Sequence, residues 1–203
     1  MPDLQSARYA LRGALSRWFE EPVSNTLIKL GFSANTATLT GVALAIGGAV
    51  AAGFGEFLAA GLLVLAGASF DMLDGGIARR KGTVGPQGAL MDSVLDRVSE
   101  GAVLLGLLIY FSRPDYDDQA AIILAFVAFA GSIMVSYVRA RAEGLGYKGT
   151  EGFLTRPERV VIMVVVLLIG QPEWGLWILG VGTPLSATHR FIAAWREAGK
   201  PKS

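Results

Sequence analysis

Residues 71–96 read DMLDGGIARRKGTVGPQGALMDSVLD, an acidic segment placed between long apolar runs. Asp71 and Asp74 are three residues apart, so they lie on one face of a helix. Asp92 and Asp96 are four apart and share a face in the same way. A short loop with glycine and proline separates the two pairs, which makes the two helices antiparallel neighbours. The spacing therefore predicts that four carboxylates converge at one end of a helix pair.

The composition indicates a membrane protein. Hydrophobic residues make up 52% of the 203 residues, charged residues 17%, and the mean hydropathy is +0.48. Soluble domains usually have about 25% charged residues. The net charge of +1 argues against a nucleic-acid partner, and the absence of cysteine excludes disulfides and thiolate metal sites. His189 is the only histidine, so a multi-histidine site is excluded, and we expect a structural role for it at the membrane interface.

Six apolar stretches approach the ~20 residues that a helix needs to cross a bilayer. They cover residues 37–54, 57–78, 89–112, 119–138, 157–171 and 173–192. The sequence therefore predicts an all-α, polytopic membrane protein with about six transmembrane helices within 34–192. We find no repeat or linker, so residues 1–203 are predicted to form a single domain.

Residues 1–33 are too polar to span and are predicted to lie along the membrane surface. On a helical wheel one face is apolar, and Ser16 and Glu20 stand opposite it. The apolar face carries Leu4, Ala7, Leu11, Leu15 and Trp18. An amphipathic helix packed on the protein itself is the alternative.

Positive charge gathers at one set of helix ends, for example at Arg79-Arg80-Lys81, whereas Glu56, Asp115 and Glu173 lie at the other set. The positive-inside rule then places both termini, and the aspartates, on the cytoplasmic side of the cell membrane.

Carboxylates in a membrane helix are costly, by about 2.5–3.5 kcal/mol each on insertion scales. A bound Mg²⁺ or Mn²⁺ would remove that cost, and two such ions could clamp a diphosphate. Gly75, Ala78 and Gly88 are small enough for a ligand to approach the backbone, and Arg79 suits a phosphate. The alternative is that the aspartates are solvated helix ends and that the basic residues only set topology.

A second cationic group lies further along the chain. Thr155 and Glu158 have capping-box spacing before an apolar run, and Arg156 and Arg159 would sit in that first helical turn. A helix N-terminus with two arginines suits an anion, and Arg139 and Arg190 are candidates to complete the site. The alternatives are topology-setting charge and an Arg139–Glu143 pair along one helix.

The spacing D-x2-D-G-x2-A-R-x8-G-x3-D-x3-D over residues 71–96 resembles in full the signature of the CDP-alcohol phosphotransferase family. The resemblance implies a six-helix membrane enzyme, usually a homodimer, with a polar cavity open to the cytosol. It also assigns roles to residues. Metal ligands would be Asp71, Asp74, Asp92 and Asp96, with Asp96 also the general base, and the CDP moiety would be held by Gly75, Ala78, Arg79 and Gly88.

Asn35 and Thr38 resemble the family's Pro-Asn-x-x-Thr element beside the nucleotide, with Ala34 at the proline position. The resemblance therefore places both residues among those that bind the CDP-lipid. An ordinary helix N-cap is the alternative for Asn35.

The segments 136–143 (SYVRARAE) and 156–159 (RPER) resemble the branch of that family whose actinobacterial and archaeal members use inositol 1-phosphate as acceptor. That branch implies transfer of a phosphatidyl group from CDP-diacylglycerol, or a related CDP-lipid, to inositol 1-phosphate. Arg139, Arg156, Arg159 and Arg190 would then bind the acceptor phosphate. Two alternatives stay open: synthesis of phosphatidylglycerophosphate from glycerol 3-phosphate, and a divalent-ion carrier without catalysis.

Overall fold

The computed structural model describes residues 20–147 and 152–199, and every regular element in those ranges is helical. The helices are α1 (Glu21–Lys29), α2 (Ala34–Phe54), α3 (Phe57–Lys81), α4 (Pro86–Phe111), α5 (Gln119–Gly144), α6 (Arg156–Leu168) and α7 (Pro172–Ala198). The predicted all-α class is thereby confirmed. The predicted amphipathic face from Leu4 to Trp18 lies outside the described residues.

The helix boundaries follow the glycine-rich breaks in the sequence. The break that shapes the acidic segment lies between α3 and α4, where Gly82 has a φ of 65°. A side chain is strained in that conformation, so glycine ends the helix there. The N–H of Thr83 closes the turn by donating to the carbonyl of Ala78 at 3.0 Å.

Within residues 20–147 and 152–199, three helices are long and apolar enough to cross a membrane by length and composition: α2, α3 and α5. Helix α4 has 26 residues, but its first half carries Asp92, Asp96 and Arg97. Helix α6 has 13 residues, which rise only about 20 Å, against about 30 Å of hydrocarbon. The apolar helices thus indicate a membrane protein, while the number of about six spans stays a prediction.

The described residues form two compact units. The first consists of the residues up to Leu44 together with Ala66–Asp96, and the second of Ala45–Leu65 together with the residues from Arg97 onward. This division into two units does not test the prediction that residues 1–203 form a single domain.

In the second unit, α5 packs along α7 over much of their length. Small residues allow the close approach, among them Gly131 on α5, where a side chain would strike Thr183 of α7. The Thr183 hydroxyl lies 2.8 Å from the carbonyl of Leu179 and 3.2 Å from that of Ala128 on the neighbouring helix. This packing fixes the part of α7 that leads to Arg190.

In the first unit, α2 and α3 cross closely at Gly41. A Cβ atom at that position would lie 2.9 Å from the carbonyl oxygen of Gly67. Leu73 and Ile77 of α3 are buried, and they share the segment that carries Asp71 and Asp74. The packing of α3 against α2 therefore orients the first pair of aspartates.

Candidate active site

Three of the four predicted aspartates form one cluster. Asp71 and Asp74 on α3 and Asp92 on α4 each place a carboxylate oxygen within 4.8 Å of the other two. Opposite ligands of one Mg²⁺ lie about 4 Å apart, so the cluster is close to the size that such an ion needs. Carboxylate oxygens are also the ligand type that hard divalent cations prefer. The residues present therefore fit a divalent metal ion.

Asp74 is the most enclosed member of this cluster, with 7% of its surface exposed. The hydroxyl of Thr38, on α2, donates to Asp74 Oδ2 at 2.6 Å. Thr38 is itself buried, and its oxygen also lies 3.0 Å from the carbonyl of Ala34 one turn earlier. The structure thus uses Thr38 to orient a carboxylate of the cluster, a role that the sequence did not predict.

Asp96 is buried, with 8% exposed, one turn beyond Asp92 on α4. It does not belong to the group of three whose oxygens lie within 4.8 Å of one another. Its predicted roles as metal ligand and general base therefore stay predictions.

Arg79 has a partner that the sequence did not predict. Its guanidinium donates to Glu20, whose side chain is 10% exposed while that of Arg79 is 62% exposed. The adjacent Gly76 makes room for this arrangement, since a Cβ there would lie 2.8 Å from Glu20 Oε1 and 2.7 Å from Ser24 Oγ. Glu20 is thus buried, although the helical wheel places it on the polar side of the helix.

The other residues predicted to hold the CDP moiety differ in exposure. Asn35 and Gly88 are exposed, whereas Gly75 and Ala78 are partly buried on α3. Helix α2 is capped by Ser33, whose hydroxyl accepts from the N–H of Thr36 at 3.1 Å. The N-cap interpretation of Asn35 is therefore wrong, and Asn35 is left as a candidate ligand-binding residue.

Among the four arginines predicted for the acceptor, Arg159 is the most enclosed, with 2% of its side chain exposed. It forms a two-pronged ion pair with Glu100: Nε lies 2.6 Å from Oε1 and Nη2 lies 2.9 Å from Oε2. Its third nitrogen, Nη1, donates to the carbonyl of Leu154 at 3.2 Å.

The other three arginines have different surroundings. Arg190 on α7 is 4% exposed. Arg156 is partly buried at the start of α6, and Thr155 occupies the N-cap position of that helix. The Thr155 hydroxyl donates to the Glu158 carboxylate and does not accept from a backbone N–H, so the Thr155 half of the predicted capping box is not formed. Arg139 is exposed and pairs with Glu143 at 2.8 Å, which confirms that the predicted pair along α5 exists.

Sequence reasoning missed two acidic partners, Glu20 and Glu100. The position of Glu100 within the apolar run 89–112 was a usable signal, because an acid there needs a cation to offset its burial. Glu20 gave no comparable signal. The lone histidine, His189, is exposed, and its ring centroid lies 6.1 Å from that of Phe153.

Along most of its length, the chain is similar to proteins of one known family. The model of the family described as CDP-alcohol phosphatidyltransferase matches residues 32–188. The phosphatidylinositol phosphate synthase of Mycobacterium tuberculosis (strain H37Rv) is 30% identical over 198 residues, covering 93% of this chain and 90% of that protein. The enzyme of the same name from Corynebacterium glutamicum is 34% identical over 182 residues, covering 86% and 83% respectively.

Solved structures agree with this relationship. The M. tuberculosis phosphatidylinositol phosphate synthase with CDP-DAG bound matches with a TM-score of 0.81 at 28% identity, covering 91% of this chain and 98% of that one. The same enzyme in complex with manganese and citrate matches with a TM-score of 0.82 at 28% identity, covering 91% and 94%. With the carboxylate cluster, these similarities indicate the use of a divalent metal ion. This chain belongs to the CDP-alcohol phosphatidyltransferase family and is a membrane transferase.

Proposed function

We propose that this protein transfers the phosphatidyl group of CDP-diacylglycerol to inositol 1-phosphate, giving phosphatidylinositol phosphate and CMP. The observation that carries the proposal is the cluster of Asp71, Asp74 and Asp92, formed by aspartates of the family signature. Relatives at about 30% identity that carry the name phosphatidylinositol phosphate synthase support the choice of acceptor.

The donor side of the proposal rests on the first unit. Asp71, Asp74, Asp92 and Asp96 would hold Mg²⁺ or Mn²⁺, two ions in all, which when bound neutralise the diphosphate and the leaving CMP. The nucleotide and its phosphates would be bound by Asn35, Gly75, Ala78, Arg79 and Gly88. Thr38, also predicted for this role, is buried with its hydroxyl on Asp74, which favours an action through that carboxylate. Arg79 is available for this because its side chain is exposed, and a phosphate can replace Glu20 as its partner.

The acceptor side rests on the second unit. Arg139, Arg156 and Arg190 would bind the phosphate of inositol 1-phosphate, since guanidinium groups match phosphate oxygens in pairs. Arg159, also predicted for this role, has three of its nitrogens bonded to Glu100 and Leu154. Those contacts favour a supporting role for Arg159 over direct binding.

The reaction is a displacement at phosphorus. Asp96 takes the proton of the acceptor hydroxyl, and the oxygen attacks the lipid-side phosphorus of the donor. A new P–O bond forms to the acceptor, the P–O bond to the CMP phosphate breaks, and CMP leaves with the electron pair. The chain's own contribution is the orientation of both substrates and the acceptance of one proton at an Asp96 carboxylate oxygen.

The proposed setting is the cell membrane, with the site and both termini on the cytoplasmic side. The active species would be a homodimer in which each chain works as a single domain. The same proposal includes about six membrane spans.

The test is CMP release by the purified protein with CDP-diacylglycerol and Mg²⁺, comparing inositol 1-phosphate, free inositol and glycerol 3-phosphate. We expect turnover with inositol 1-phosphate and little with the other two. Turnover only with glycerol 3-phosphate would overturn the acceptor and favour phosphatidylglycerophosphate synthesis. No turnover with any of them would call for an ether-linked CDP-lipid as donor before the reaction itself is abandoned.

A further inference from the structure

We propose that Glu100 is a positioning residue for the acceptor: through Arg159 it anchors the segment from Gly152 to Arg156 against α7 and so fixes the guanidinium groups that bind the acceptor phosphate. The inference rests on the proposed function, since it assumes that Arg156 and Arg190 bind a phosphorylated acceptor. It adds a residue that takes no part in the reaction itself.

The anchor begins with the pair between α4 and α6. Glu100 and Arg159 meet through two parallel bonds, at 2.6 and 2.9 Å, with side-chain exposures of 12% and 2%. Two parallel bonds fix the plane of a guanidinium group, which one bond does not. Arg159 lies three residues after Arg156, so the pair also fixes the first turn of α6.

A second set of contacts continues from Arg159 to α7. Arg159 Nη1 donates to the carbonyl of Leu154 at 3.2 Å, and the N–H of Leu154 donates to Ser186 Oγ at 3.4 Å. Ser186 is fully buried on α7, one turn before Arg190. The polar groups of Leu154 are therefore held from both sides, by α6 and by α7.

The segment also touches a proposed acceptor ligand directly. A Cβ atom on Gly152 would lie 3.0 Å from Arg190 Nη2, 3.3 Å from Arg190 Nε and 2.8 Å from Ser186 Oγ. The backbone at Gly152 thus packs against the Arg190 guanidinium. A displacement of the segment would remove this contact, which limits the orientations that the guanidinium can take.

The energetics of buried ion pairs favour positioning over stability as the role of Glu100. Two buried charges lose so much hydration that an apolar pair of similar volume is often as stable. An apolar pair, however, cannot impose the orientation of a guanidinium or donate to the Leu154 carbonyl. The Glu100–Arg159 pair therefore contributes mainly to the orientation of the Arg159 guanidinium.

The experiment measures KM for the phosphorylated acceptor that the wild-type enzyme uses, KM for CDP-diacylglycerol, kcat and Tm. The variants are Glu100→Gln, the double variant Glu100→Leu/Arg159→Met, and Gly152→Ala. Glu173→Gln is the matched control, the same change at an exposed glutamate in the first turn of α7. We expect all three variants to raise the acceptor KM by about tenfold or more, as a displaced binding group does, with KM for CDP-diacylglycerol within about twofold.

The double variant separates positioning from folding, since it leaves no unpaired charge. A Tm near that of the wild type together with a raised acceptor KM supports the proposal. An acceptor KM restored along with Tm would overturn it, because any well-packed pair would then suffice. Equal losses with both substrates in all three variants would overturn it as well.

The result also distinguishes this inference from the proposed function. If the wild type uses glycerol 3-phosphate instead of inositol 1-phosphate, the proposed acceptor is wrong, yet the selective rise in KM should appear for glycerol 3-phosphate. If the wild type uses only an acceptor without phosphate, both proposals fall.

Discussion

Two enclosed carboxylates, Asp74 and Glu100, have opposite surroundings. Asp74 lies in the first unit with the carboxylates of Asp71 and Asp92 close by, and a neutral hydroxyl donates to it. Glu100 lies in the second unit, where the guanidinium of Arg159 neutralises it through two bonds. A carboxylate among carboxylates needs a cation from solution, whereas one that already faces arginine does not. Asp74 is therefore suited to binding a metal ion, and Glu100 to holding neighbouring side chains in place.

The largest effect is expected from removing a carboxylate of the cluster. Asp74→Asn keeps the shape but lowers the negative charge, so CMP release should fall on the order of a thousandfold, as for loss of a main electrostatic element. Asp115→Asn, at an exposed site between α4 and α5, is the control and should retain activity. Wild-type activity in Asp74→Asn would mean that the cluster is not the metal site.

The next effect concerns stability in the second unit. Arg159→Met leaves Glu100 buried without its cation, so the free energy of unfolding should fall by roughly 3–5 kcal/mol. Arg139→Met breaks a pair whose side chains are 62% and 49% exposed, and should cost at most about 1 kcal/mol. Thermal unfolding in detergent compares the two, and equal losses would contradict the supporting role of the buried pair.

Added metal should stabilise the protein through Asp74 and not through Glu100. At Mn²⁺ concentrations near a hundred times its Kd, the wild type should gain about 2.7 kcal/mol of stability. Asp74→Asn should lose most of this gain, whereas Glu100→Gln, although less stable, should keep it. A gain that survives in Asp74→Asn would place the stabilising ion elsewhere.

The smallest effect is expected at Thr38, which orients Asp74. Thr38→Val removes the hydroxyl at nearly constant volume and should weaken Mn²⁺ binding by about tenfold, as loss of an outer partner of a metal ligand does. Thr40→Val is the matched control on the same helix, because its hydroxyl donates to the carbonyl of Thr36, one turn earlier on that helix. Binding measured by Mn²⁺ paramagnetic resonance should separate the two, and equal affinities would exclude the orienting role.

Much of the architecture could be predicted because the signals are local. Apolar runs broken by glycine gave the helix boundaries, as at Gly82, where a left-handed residue ends α3. The three-residue spacing of Asp71 and Asp74 placed both on one face, and the short loop to α4 brought Asp92 beside them. The length of α6 was predicted less well: this helix ends at Leu168, whereas the predicted apolar stretch runs to residue 171.

The partners of the charged and hydroxyl groups could not be predicted in this way. Thr38 and Asp74 are 36 residues apart, and Glu100 and Arg159 are 59 apart. The sequence alone determined the membrane character, the all-helical class and the acidic signature, because hydropathy and helical period depend only on neighbouring residues. Only the tertiary structure decided which aspartate receives a hydroxyl, which arginine is already neutralised and which glutamates are buried. Those outcomes depend on how helices distant in sequence pack, and burial then requires each charge to find a partner.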